Sequence, residues 1–314
     1  MSLLPEKLTP HLAGLAARSP AVARQFLASA AEDAPDPTAL ADPIGDRAKS
    51  PLPGLIHRYP DRVLLLPTLA CAAHCRFCFR RDRVGAGRMT AEEIEAALAY
   101  VTARPAIHEV VLSGGDPLTL PPADLTGLVG RIAALPRSPT LRIHTRLPVA
   151  DPARVSAEVA PALARVSTPG ALWIALHVNH PDELTPETRK AVRALQAVPA
   201  VLVSQTVLLA GVNDDPETLK ALFRALVALG IKPYYLHQLD RARGTAHFRV
   251  PLARGRELVR ILRAELSGLA QPAYVLDIPG GFGKVWAGAA FVEPAAGEDR
   301  WTVRDPDGNP HPYP

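Results

Sequence analysis

Apolar residues along this chain follow two alternating rhythms. Short runs rich in aliphatic and β-branched side chains fall at residues 63–67, 109–112, 140–144, 172–178, 201–208 and 233–237, and runs of this length bounded by turn residues read as buried strands. Between them the apolar positions move to a spacing of three and four, over residues 90–102, 122–134, 151–165, 186–195, 216–229 and 252–266. That spacing predicts amphipathic helices, each with one face to lay on a sheet. Thr90-Ala-Glu-Glu and Thr185-Pro-Glu-Thr carry the hydroxyl and acidic groups that start helices. Six β-α units of roughly thirty residues each predict parallel strands with right-handed crossovers, so the expected fold class is α/β, a partial (β/α)6 TIM-like barrel. Enzymes of this kind place their chemistry at the C-terminal ends of the strands. Residues 1–55 read as a helical and then proline-rich N-terminal cap, 56–270 as the barrel, and 271–314 as a different C-terminal segment whose end, DPDGNPHPYP, is expected to fray.

Composition narrows the partners. At 314 residues the chain can bury a large core, and one main domain is the default. The balance of 35 basic against 31 acidic residues leaves only +4, and the basic residues are scattered, so nucleic acid is not an expected partner. MSLLPEKLTP contains prolines and an acid but no long apolar stretch, which predicts neither a secretion signal nor a membrane span and makes the cytoplasm the expected address. The 33 prolines could suggest disorder, but 48% hydrophobic residues in regular runs oppose it.

Cys71, Cys75 and Cys78 are the only three cysteines and form one run, CAAHCRFC. Three soft thiolates spaced C-x3-C-x2-C suit an iron-sulfur cluster, whereas a structural zinc site takes four ligands. Such a cluster leaves one iron open for another chelator. Other readings of the same run are a zinc site completed by His74, or buried structural thiols. An odd number of cysteines in one tight window argues against disulfides.

Further candidates lie where strands are predicted to end. Ser113-Gly114-Gly115-Asp116-Pro117 directly follows the second run, and reads either as a common turn or as backbone brought close to a ligand, with Asp116 available to an amino group. His144, Arg146, His177, Asn179 and Gln205 also fall at or just after predicted strand ends. In Asp277-Ile-Pro-Gly-Gly-Phe-Gly-Lys284 the lysine follows a glycine-rich bend. By itself it is either a solvated loop residue or an amine held at a cavity to form a Schiff base with an aldehyde cofactor such as pyridoxal phosphate. Tyr59-Pro-Asp-Arg62 places an aromatic surface and a cation just ahead of the first strand.

In chain order, Arg58-Tyr-Pro-Asp-Arg-Val, CAAHCRFCFRR, LSGGDPL, RIHTRLPV, HVNHPDELT, QTVLLAGVND, PYYLHQLD, AHFRVP and DIPGGFGK resemble the lysine 2,3-aminomutase family of radical S-adenosylmethionine enzymes, over residues 55 to 290. The resemblance implies a radical S-adenosylmethionine core and an isomerase that moves an α-amino group to the β-carbon, most simply L-lysine to β-lysine. It also implies a 4Fe-4S cluster, S-adenosylmethionine and pyridoxal 5′-phosphate. Carried over by motif, Cys71, Cys75 and Cys78 hold the cluster, and Lys284 is the covalent anchor of pyridoxal phosphate, seated with Tyr59 and Arg62. Gly114, Gly115, Asp116, His177 and Gln205 approach S-adenosylmethionine, and Arg80 receives the substrate carboxylate. Asp240 and Asp277 receive the distal ammonium group, since paired carboxylates suit a cation and repel an acidic side chain.

The resemblance further implies a reducing partner such as flavodoxin or ferredoxin. Short members of the family include one that acts on a lysine of translation elongation factor P, so that protein is the alternative substrate, and homo-oligomeric assembly is left open. Two other classes remain: a radical enzyme without pyridoxal phosphate, in which Lys284 is incidental, and a sensor or structural cluster. Ala210 departs from the family, which commonly has arginine there.

Overall fold

In the computed structural model the chain is described at residues 4–85, 87–137, 139–166, 170–288, 291–295, 301–305 and 309–313. A nine-stranded sheet runs in strict sequence order: β1 (Leu55–Tyr59), β2 (Arg62–Thr68), β3 (Glu109–Gly114), β4 (Thr140–Thr145), β5 (Leu172–His177), β6 (Ala200–Leu208), β7 (Lys232–Gln238), β8 (Ala273–Asp277) and β9 (Lys284–Trp286). Strands β2 to β8 pair in parallel, while β1 and β9 pair antiparallel at the two edges. The six expected strands are all present in this order, with a seventh parallel member and two antiparallel edges added. The sheet therefore continues past residue 270.

The helices over Ala91–Thr102, Pro122–Ala133, Pro186–Gln196, Pro216–Ala228 and Leu252–Glu265 match their predicted spans closely. Thr90 starts the first with a reciprocal cap: its hydroxyl accepts from the Glu93 amide at 3.2 Å, and the Glu93 carboxylate accepts from the Thr90 amide at 2.9 Å. The helix expected over 151–165 is instead broken into Pro152–Arg154, a π-helical turn Val155–Val159, and Ala160–Leu163. Pro161 is the physical reason, because it offers no amide to continue the ladder and its ring crowds the carbonyl a turn earlier.

Alternation within the parallel strands divides the molecule into layers. On β4, Leu141 and Ile143 are buried toward the helices, while Arg142 and His144 face the concave side. Leu125, Val129, Ile132, Val192, Leu195, Leu222, Phe223, Leu226 and Leu258 cover the convex side in one continuous apolar cluster. Burying each such side chain contributes about 1.5–3 kcal/mol, so this layer supplies most of the rigidity on which the concave face depends.

Ahead of the sheet lie helices Pro10–Ala16 and Pro20–Phe26, capped by Thr9 and Ser19, and a short 3-10 turn Ala30–Asp33. The following residues run along the sheet: Leu40 bridges to Ala242, and the Gly280 amide donates to the Pro43 carbonyl at 3.0 Å. A Cβ on Gly45 would stand 2.8 Å from the Gly280 carbonyl oxygen, so glycine is required where this strap presses on the bend before Lys284. The expected fraying of the last residues is corrected, since Pro310–Tyr313 pairs with Trp301–Arg304, and that strand with Val292–Pro294, in a separate three-stranded sheet. Residues 306–308 and 314 of that expectation lie outside the described residues. Among the described residues no helix is long and apolar enough to cross a membrane.

Candidate active site

All nine strands of the large sheet contribute side chains to one cavity of about 420 Å³ on its concave face. Of the site residues named from the sequence all line it except Asn179, which is buried behind the strand ends against Gln25 and Glu183, so the cysteines and Lys284 face a shared space although Lys284 lies 206 positions after Cys78.

At one pole the loop after β2 carries the cysteines. Burial pushes all three thiols up, Cys78 to about 11, so each stays protonated until a metal takes the proton's place. His74 turns away, its Nδ1 against the Pro5 carbonyl at 2.8 Å, which removes the fourth ligand that a zinc site would need. Among the described residues no three His, Cys, Asp or Glu side chains gather around a single ion. Three thiols in one loop, all lining the cavity, fit a polynuclear cluster, which spreads its ligands over several irons. The loop itself is clamped: Glu32 takes Arg76 Nε at 2.7 Å and also pairs with Arg81. Burial alone would push the Glu32 carboxyl up, but hydrogen bonds from Arg76 and Arg81 outweigh it and hold it at about 2.

Beside the cysteines, the Gly115 and Asp116 amides donate to the carbonyls of Thr68 and Ala70 at 2.9 and 2.8 Å. A Cβ on Gly114 would meet the Thr68 oxygen at 2.3 Å, and one on Gly115 the Ala70 oxygen at 2.2 Å. In this structure the two glycines thus allow the β3 end to pack on the β2 end. Both Asp116 oxygens are engaged, by Thr145 Oγ1 at 2.8 and 2.9 Å, the Arg146 amide at 2.7 Å and the Leu118 amide at 3.0 Å. Asp116 shapes the bend; its carboxylate is already satisfied. His177 and Gln205 are register partners on β5 and β6, and Gln205 Nε2 lies 3.2 Å from His144 Nε2. Burial drops the pKa of His177 to about 3 and those of His144 and His237 well below the usual value, so all three rings are neutral near pH 7.

At the other pole, antiparallel pairing of β8 with β9 sets Asp277 opposite Lys284. Lys284 Nζ contacts Asp277 Oδ2 and lies 3.3 Å from His237 Nδ1. Arg58 joins Asp277 at 3.8 Å and Asp46 at 3.0 Å, and Asp46 in turn accepts from Arg80 Nε at 2.7 Å. Asp240 has its carboxyl pushed up to about 7, by burial first and then by the charge of Asp277. Near Lys284, Tyr59 carries the Arg62 guanidinium 3.8 Å from its ring centroid, and Arg62 also meets Asp61 at 2.9 Å.

Several buried polar atoms bordering this cavity have no partner among the described residues: Tyr59 Oη, Arg80 Nη2, His177 Nε2 and His237 Nε2. A buried unsatisfied donor costs about 1–3 kcal/mol, and a concentration of them on one cavity is the signature of groups that await a ligand.

Sequence reading missed Asp46, Glu32 and Gln25, and gave His237 no role. Asp46 sits in a proline-rich stretch with no periodicity, 34 residues from its partner Arg80, and no local pattern announces such a contact. At Ala210, Arg24 from the second helix donates Nε to the Ala210 carbonyl at 2.9 Å, so a guanidinium from another element occupies that neighbourhood.

Residues 65–223 match the Radical SAM superfamily. The chain is 40% identical over 247 residues to the L-lysine 2,3-aminomutase of Fusobacterium nucleatum, covering 78% of this chain and 57% of that protein. It is 36% identical over 315 aligned positions to the L-lysine 2,3-aminomutase of Methanococcus maripaludis, 98% and 72% of the two chains. It is 38% identical over 258 residues to that of Escherichia coli, 82% and 75% of the two. A solved radical SAM methyltransferase from Sphaerobacter thermophilus shares the fold, with a TM-score of 0.52 and 23% identity over 74% of this chain and 72% of that one. The chain spans 57% and 58% of the length of the Fusobacterium and Acetoanaerobium sticklandii relatives.

Proposed function

The chain belongs to the radical S-adenosylmethionine superfamily and, within it, to the lysine 2,3-aminomutase family, and from that premise we propose that it is an isomerase converting L-lysine to β-lysine. The observation that carries this reading is a single cavity lined by three thiols, a lysine amine, a pair of aspartates and an arginine with a free donor. A 4Fe-4S cluster with S-adenosylmethionine supplies a carbon-centred radical when bound, and pyridoxal phosphate supplies a π-system that accepts an unpaired electron.

The chain's own residues then divide the work. Arg80 is fixed through Asp46 and Ser113 Oγ, at 2.7 and 3.2 Å, and its unpartnered Nη2 is directed to a carboxylate. Asp240 and Asp277 take the distal ammonium group. Asp277 contacts Lys284 and lies 3.8 Å from Arg58, so it sits where the lysine that would hold pyridoxal phosphate and a substrate ammonium group could both be reached. Tyr59 and Arg62 offer a hydroxyl and a guanidinium to a phosphate. His144, His177 and His237 remain neutral, so they orient by hydrogen bonds without adding a competing positive charge beside the ammonium pocket. Placement on the concave face of the curled sheet, with residues of the N-terminal strap such as Ile44 also lining the cavity, limits the access of water to the reacting carbons.

The reading includes a cytoplasmic address and a low-potential one-electron donor of the flavodoxin or ferredoxin class. The test is anaerobic reconstitution with iron, sulfide, S-adenosylmethionine and pyridoxal phosphate, followed by incubation with free L-lysine and, separately, with elongation factor P. β-Lysine from the free amino acid is the expected product. Modification confined to elongation factor P transfers the activity to a protein-bound lysine, and absence of a borohydride-trapped pyridoxyl adduct on Lys284 removes aminomutation altogether.

A further inference from the structure

Arg146 follows β4 and is held at both terminal nitrogens. Its Nη1 donates to Cys75 Sγ at 3.0 Å, and its Nη2 donates to Gln25 Oε1 at 2.6 Å and Glu183 Oε2 at 2.8 Å. The rings of Phe26 and Phe77 lie 4.5 and 5.2 Å from the guanidinium carbon and keep water from it. Glu183 is fully buried and is itself fixed by the amides of Asn179 and His180, at 3.0 and 2.9 Å, and by Gln25 Nε2 at 2.9 Å. Three elements distant in sequence thus converge to aim one N–H at one sulfur. A pairing with Glu183 alone would leave that orientation unexplained.

A guanidinium does not lose its proton in a protein, so its charge stands permanently beside this sulfur. Reduction of an iron-sulfur cluster adds one electron, and the added negative charge resides partly on the thiolate sulfurs. A donor aimed at a ligand sulfur in a site of low dielectric therefore stabilises the reduced form more than the oxidised form. We propose that Arg146 is a positioning residue that raises the reduction potential of the cluster through its hydrogen bond to Cys75, with Gln25 and Glu183 setting its aim. Glu183 opposes the effect by its own negative charge. The inference rests on the reading that Cys71, Cys75 and Cys78 hold a cluster.

The test is a redox titration of the reconstituted protein without S-adenosylmethionine, followed by the electron paramagnetic resonance signal of the reduced cluster. Arg146→Met is expected to lower the reduced-to-oxidised ratio at fixed potential by tenfold or more, about 59 mV per tenfold for a one-electron couple. Arg146→Lys keeps the charge and loses the fork, so its ratio is expected to fall by less. Glu183→Gln is expected to move the ratio upward. Since Arg146→Met leaves Glu183 buried without its cation, that variant can fail to hold a cluster, in which case the other two decide by their opposite signs. Ratios equal to wild type, or shifts of one sign in both Arg146→Lys and Glu183→Gln, overturn the assignment. A wild-type protein that binds no redox-active cluster overturns the proposed function instead.

Discussion

The two poles of the cavity are built on opposite terms. Around the cysteines the flanking charges are sealed from solvent: Arg146 with Glu183, and Arg76 and Arg81 sharing Glu32, all nine-tenths buried or more. Around Lys284 the shared charges are more open, with Arg58 between Asp46 and Asp277, and Asp277 between Arg58 and Lys284, whose side chain is 22% exposed, while the cavity-lining Tyr59, Arg80 and His237 keep polar atoms without a partner among the described residues. A sealed network suits a resident group whose surroundings must not move. A more open network suits reactants that enter, exchange ion-pair partners and leave. The difference follows from electrostatics, since breaking a buried matched pair costs about 3–5 kcal/mol, whereas trading one partner for another costs far less.

Removing a ligand at each pole should separate them completely. Cys78→Ala is expected to abolish both the cluster absorbance and all rearrangement, whereas Lys284→Ala should keep the cluster spectrum and lose the rearrangement. Loss of the spectrum in Lys284→Ala would show that the poles are not independent. Next in size, Glu32→Gln replaces the carboxylate that pairs with two buried guanidinium groups, and a loss of about 3–5 kcal/mol should appear in urea denaturation. Because the Glu32 carboxyl is held down at about 2 from an ordinary 4.5, its stabilisation is full above 4.5 and fades as pH falls toward 2. The acid limb of the wild-type stability profile should therefore flatten in this variant.

At the lysine pole the effects should be on affinity. Asp277→Asn is expected to raise KM for lysine by roughly ten- to hundredfold, about 1.5–3 kcal/mol for a hydrogen bond to a charged group, with the cluster signal unchanged. A smaller effect comes from Asp240, whose carboxyl is pushed up to about 7. A cationic substrate needs it ionised, so binding should release a proton near neutrality and weaken by up to about tenfold per unit as pH falls below 7. Asp240→Asn should remove that slope from log KM against pH, and an unchanged slope would place the titration elsewhere.

The helices were legible because their apolar spacing and caps are local: Thr90 and Thr185 start helices where their neighbours indicate. Cys71, Cys75 and Cys78 were legible for the same reason, as a cluster loop needs its ligands close along one stretch of chain. The broken helix over 151–165 and the strands β1, β8 and β9 were not, because a π-turn forced by Pro161 and edge pairing both depend on what the neighbouring segment does. Asp46, Glu32 and Gln25 carried no sequence signal at all.

By itself, then, the order of residues determined the α/β repeat, the cysteine loop and the lysine after its glycine bend, since each is specified by neighbours within a few turns of chain. Only the folded sheet decided that Asp46 steadies Arg80, that Asp116 is spent on Thr145 and the Arg146 amide, and that Arg146 points at Cys75. Those are contacts between segments tens of residues apart or more. Their energy depends on burial and on distance through space, quantities that exist once strands have been laid side by side.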